Sequence, residues 1–150
     1  MRNHSRLEVR NTSTPLQWNV GGILDIVLLG GDLIYLGGET EEITIAGNSE
    51  AILKGGRIDY ITNMQYVDEL KNISIYSQPG WSWETTFDPA EQEDIITGIT
   101  GLWEDNTAFA INFINDVDYD PVWMNINIVE VPEPATLLLI SLGAALIRKR

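Results

Sequence analysis

Cysteine is absent from the 150 residues of this chain, and the single histidine is His4, near the amino terminus. Disulfides, thiolate metal sites and a cysteine nucleophile are therefore excluded, and so are histidine-based triads and multi-histidine zinc sites. Positive charge is scarce. The chain has 9 basic against 22 acidic side chains and a net charge of -13. Three of the nine bases are the last three residues, Arg148, Lys149 and Arg150, which leaves 21 acids against 6 bases up to Val131. From Glu84 to Asp120 there are ten Asp or Glu and no Lys or Arg. Such a body repels phosphate backbones, so no nucleic-acid partner is expected. The opening MRNHSRLEVRNTST lacks the apolar stretch of a secretory signal. The first oily segment, Ile23 to Leu36, is interrupted by Asp25, Asp32 and the glycine pair at 30–31.

With 44% apolar residues the chain can build a core. Glycine pairs stand at 21–22, 30–31, 37–38 and 55–56. VLLGGDLIYL (Val27 to Leu36) aligns with ILKGGRIDYI (Ile52 to Ile61) at an offset of 25, and NVGGILDI (Asn19 to Ile26) reads as a shorter copy. Val, Ile, Leu and Tyr dominate, partly alternating with polar residues, which is strand-like. EITIAGNSEAILKGG reads as strand, turn at Gly47–Asn48, strand, turn at Gly55–Gly56. Short strands and tight corners at this spacing predict the end of a parallel β-solenoid over residues 1–65. An antiparallel sandwich is the competing arrangement. A phosphate cradle is disfavoured, since neither the P-loop lysine nor GxGxxG is present.

Residues 66–128 read as a small β-rich cap. Trp81, Trp83, Trp103 and Trp123 all lie there, with only Trp18 outside. GWSWETTF places Trp81 and Trp83 on one side of a strand, AFAINFI is a further strand, and WMNINIVEV reads as one with Met124, Ile126 and Ile128 opposite Asn125 and Asn127. DPAEQEDI reads as one helical turn capped by Asp88 with Pro89 at its first position. The tryptophans are expected in the core, with sugar stacking as the rival use. Asp116, Asp118 and Asp120 alternate like calcium ligands but lack the glycine and distal glutamate of an EF-hand loop, so they read as solvated charge. No pair among the acids is singled out for glycoside hydrolysis. No catalytic, cofactor or metal residue is assigned, and the chain is expected not to be an enzyme.

Residues 129–150 are different. Pro132 and Pro134 fix their own φ and restrain Val131 and Glu133 toward extended geometry. The thirteen residues Ala135 to Ile147 carry no charge, and the chain ends at Arg148, Lys149 and Arg150. As a helix the run would span about 20 Å, short for a permanent crossing of a core about 30 Å thick. The basic cluster could reach the headgroups and favours the cytoplasmic side, so the predicted topology is body outside and extreme carboxyl terminus inside. A helix apolar all round, which Leu137 to Ile140 would give, fits poorly in the core of a domain this small.

Val131-Pro132-Glu133-Pro134, the apolar run and the terminal basic cluster together resemble the PEP-CTERM sorting signal of Gram-negative bacteria. The resemblance covers about twenty residues, with its three parts in order. It implies exosortase, a membrane-embedded cysteine transpeptidase-like enzyme, as partner, with transient residence in the inner membrane and cleavage near the motif. Such proteins leave by the general secretory route and often associate with exopolysaccharide or biofilm matrix. The body resembles members of that group built from short glycine-rich β-solenoid repeats, and ITGITGLWEDNTAFAINF resembles their closing segment. An exported tail without an amino-terminal signal predicts a reading frame that is truncated or whose start is misassigned. The expectation is an all-β envelope protein: a solenoid end, a β-rich cap and a C-terminal hydrophobic helix. Its role would be structural or adhesive, at the cell surface or in the matrix. The alternatives are a carbohydrate-active solenoid enzyme and a permanently anchored surface protein.

Overall fold

A computed structural model of the chain describes residues 5–10, 23–66 and 71–132. Its first six strands are β1 (Arg6–Val9), β2 (Ile23–Leu28), β3 (Gly31–Tyr35), β4 (Glu39–Ala46), β5 (Ser49–Leu53) and β6 (Arg57–Met64). They are followed by β7 (Ile73–Ser77), β8 (Ser82–Asp88), β9 (Glu93–Leu102), β10 (Ala108–Asn115), a 3-10 turn at Val122–Asn125 and β11 (Ile126–Glu130). The fold is all-β with parallel sheets, as the strand-like composition predicts. The expected C-terminal helix lies outside the described residues.

From β2 to β7 the chain alternates between two sheets. One has the order β1-β3-β5-β7-β11, and every pair in it is parallel. The other has the order β2-β4-β6-β10-β9-β8. Its first four strands are parallel, and the β8–β9 hairpin closes it in antiparallel fashion. Alternation within each strand turns one face inward: β3, β5 and β7 each read buried, partly exposed, buried along their length. The register stacks these inward residues into rows. Leu33, Ala51, Ile73 and Ile126 form one row, and Tyr35, Leu53, Ile75 and Ile128 the next. Ile43, Ile45 and Ile61 face them from the second sheet, fully buried. Burying each such side chain contributes about 1.5–3 kcal/mol.

The corners are short, and glycine makes the stacking possible. Gly56 turns the chain from β5 into β6 at φ +83, where a Cβ would come 2.6 Å from the Gly38 carbonyl oxygen in the corner beneath. A left-handed backbone and a close approach are both required there, and only glycine meets them without strain. Gly47 does the same at the opposite corner, under the Leu29 carbonyl.

The pairing corrects the expected period. From β2 to β6 the stacked strands pair at offsets of 17 or 18, not 25: Ile23 lies beside Thr40, Gly31 beside Ser49 and Glu39 beside Arg57. The segment Val27–Leu36 runs from β2 into β3, whereas Ile52–Ile61 runs from β5 into β6. The 25-residue alignment therefore superposes strands of opposite sheets. The two passages look alike because each turns between sheets through a glycine pair and enters an apolar strand.

Residues 71–130 extend both sheets. β7 and β11 join the first, β10 joins β6, and the β8–β9 hairpin carries the second sheet further. The hairpin tip at 89–92 replaces the expected helical turn. Asp88 still caps it, its carboxylate accepting from the Ala90 N–H at 2.8 Å and its carbonyl from Gln92 at 2.8 Å. WMNINIVEV is not one strand. The 3-10 turn shifts the alternation, so Asn125 is buried and Met124 exposed, and the strand starts at Ile126.

Candidate functional site

The place where the body gives way to the C-terminal segment is the edge strand β11. Isoleucine and valine at 126, 128 and 129 suit a half-buried strand, and β11 pairs with β7 from Ile126–Ile73 to Glu130–Ser77. The ladder continues one residue beyond: the Val131 N–H donates to the Ser77 carbonyl at 2.9 Å. Pro132, exposed, has no N–H and cannot prolong it. Beside this end the Trp81 indole N–H donates to a Glu130 carboxylate oxygen at 3.1 Å. Trp81 meets Trp83 edge-on at 5.3 Å, and Trp83 meets Phe113 at 6.1 Å, so the contact is backed by the core. Of the predicted site residues, Val131 is thus fastened to the sheet and Pro132 is exposed beyond the ladder. Glu133, Pro134 and the basic cluster Arg148, Lys149 and Arg150 lie outside the described residues.

The other candidates fall as follows. Trp103 is fully buried, with its indole N–H donating to the Gly56 carbonyl at 2.8 Å. Trp81, Trp83 and Trp123 are partly buried and pack on the core. Asp116 accepts from the Asp118 N–H at 2.9 Å within its own turn, and the Asp120 carbonyl accepts from Asn63 at 3.0 Å. Among the described residues no three acidic or histidine side chains group so as to hold a metal ion. Among them too, no helix is long and apolar enough to cross a membrane.

Sequence reasoning missed a buried polar cluster at the corner between β6 and β7. Asn63 and Asn125, both fully buried, are joined by an amide hydrogen bond of 3.1 Å. Asn125 also accepts from the Asn72 N–H at 2.7 Å, and the Asn72 side chain donates to Gln65 at 2.7 Å. The three asparagines are scattered over 62 positions in sequence, so no local pattern announces them. Among the described residues three side chains have shifted titrations. Burial, aided by the charge of Glu39, pushes the Tyr35 phenol up to about 12. A hydrogen bond and ion pair with Asp59 raise the Arg57 guanidinium. Hydrogen bonds from the Thr107 hydroxyl and N–H hold Asp105 below its ordinary value.

No curated protein and no solved structure matches the chain. A family model described as a PEP-CTERM protein-sorting motif matches residues 130–150. The match begins at Glu130, the last residue of β11, and takes in the Val131-to-Pro134 motif, the apolar run and the basic cluster. The carboxyl-terminal segment is therefore a PEP-CTERM sorting motif, which supports exosortase-dependent sorting of an exported protein.

Proposed function

We propose that the chain is a non-catalytic protein of the cell envelope. Its tail is held transiently in the inner membrane, processed there by exosortase, and the body is passed to the surface or the extracellular matrix. The observation that carries this reading is the match of the sorting motif to residues 130–150, starting where the last strand ends. Pro132, Glu133 and Pro134 carry recognition. The run from Leu137 to Ile147 sits in the bilayer, and Arg148, Lys149 and Arg150 orient it by the positive-inside bias.

The body is read as the end of a parallel β-solenoid spanning residues 1–65, with residues 66–128 closing it and 129–150 as the removable signal. Parallel stacking at offsets of 17 or 18 through glycine corners supports this. A rigid, acidic stack of strands suits a structural or adhesive part in an exopolysaccharide-containing matrix, and the strong negative charge keeps it soluble. The test is Pro132→Ala together with Pro134→Ala in a host that contains exosortase. The parent loses mass at its carboxyl terminus, and the double variant keeps its full mass. A parent that retains the tail in such a host identifies a permanently anchored protein instead.

A further inference from the structure

The sorting motif has almost no linker. Val131 is still bonded to the Ser77 carbonyl, and the apolar run begins at Ala135. Only Pro132, Glu133 and Pro134 lie between, and three extended residues span about 10 Å. A segment bound as an added strand needs about the length of an ordinary strand, about five or six residues. The remainder must come from the apolar run, which the bilayer holds, or from the folded body. On the body side the adjoining residues are Glu130 and Val129, both committed to the ladder with β7.

Resting on the sorting reading above, we propose that β11 is a releasable edge strand and that its detachment from β7 gates processing of the tail, with Trp81 as the latch. Three features make β11 suited to this. It is paired on one side only among the described residues. Its ladder with β7 is five pairs long. Its far half is lightly buried, Ile128 and Val129 being partly exposed and Glu130 exposed, whereas Ile126 is fully buried. Detachment from the Pro132 end thus gives up three partly buried side chains, Ile128, Val129 and Val131, and leaves the core anchor at Ile126 in place. Local opening of this kind is how a folded chain yields an extended segment to a protease, and the rate follows the population of the open form. The Trp81–Glu130 hydrogen bond lies at the end that opens first. Trp81 is a positioning residue, acting on the availability of the motif without touching the enzyme's chemistry.

The absence of cysteine supplies a clean test. Tyr76 and Val129 are register partners in the half of β11 that opens, and both are partly exposed, so Tyr76→Cys with Val129→Cys places two thiols across neighbouring strands within disulfide reach. The full chain is followed by pulse–chase and intact mass in an exosortase-containing host, where the envelope oxidises the pair. The locked variant is expected to lose its tail at least tenfold more slowly than either single-cysteine variant. Inserting six Gly or Ser residues between Val131 and Pro132 restores the parental rate. Trp81→Phe keeps the ring and removes the donor, and is expected to speed processing by about threefold, the size of one exposed hydrogen bond. Processing of the locked chain at the parental rate, or a Trp81→Phe chain no faster than the parent, overturns the gate while leaving the sorting assignment intact. A parental chain that never loses its tail overturns the sorting assignment and the gate with it.

Discussion

The strands from Ile23 to Met64 and those from Ile73 to Glu130 build the same two sheets by different means. In the first group each strand lies 17 or 18 positions from its partner, and the corners close by backbone approach at glycine. In the second group the regular spacing is lost. β7 lies 22 positions from β5, β10 lies 52 from β6 and β11 lies 53 from β7. The corners there close through side chains: Asn63, Asn72 and Asn125 at one end, Trp103 at the other. Evenly spaced strands can stack identical turns, so glycine suffices. Where the chain leaves and returns, its unpaired polar groups need partners brought from afar, and asparagine and tryptophan provide them.

Four substitutions probe that difference, all read by urea unfolding of the full chain. Trp103→Ala strikes the point where the two groups meet, since Trp103 is fully buried, stacks on Phe109 at 4.3 Å and bonds to the Gly56 carbonyl. A loss of about 4 kcal/mol is expected, the range for deleting a buried aromatic side chain. Gly56→Ala tests whether the first group depends on glycine corners. Positive φ and a collision with the Gly38 carbonyl together should cost about 3 kcal/mol. Asn125→Ala is the counterpart in the second group. It strands the buried Asn63 Oδ1 and the Asn72 N–H, and should cost about 2 kcal/mol. Equal tolerance of alanine at 56 and at a solvent-facing position would remove the contrast.

The smallest effect at neutral pH is expected from Tyr35→Phe, whose hydroxyl makes only a long 3.4 Å bond to the Arg57 carbonyl. Its signature is pH dependence. The folded state holds this phenol neutral, with its pKa raised from 10.0 to about 12. The associated stability is fully present below pH 10 and is lost as pH rises toward 12. A pH series of unfolding midpoints should show this loss in the parent and a shallower one in Tyr35→Phe.

Strand content was legible because alternation and β-branched residues act locally: EITIAGNSEAILKGG gives the two turns where they occur, at 47–48 and 54–56. The tail was legible because its proline, apolar and basic parts are contiguous. The pairing offset was not, because the alternation between sheets makes β3 and β6 look alike although they never pair. The asparagine cluster was invisible for a different reason: Asn125, which joins it, is brought back only after the long excursion from β7 to β11. The 3-10 turn at Val122–Asn125 escaped notice because VWMN alternates no worse than a strand. The latch at Glu130 could not be foreseen, since nothing local ties residue 81 to residue 130.

Residues 130–150 are read as a signal that directs removal of the apolar run and the basic cluster from a body that folds without them. The most direct test is the intact mass of the chain recovered from paired bacterial hosts, with and without exosortase. The account predicts a carboxyl-terminal loss that includes the apolar run and Arg148–Arg150 only where the enzyme is present, with β11 retained in the product. The same full-length mass in both hosts would contradict it.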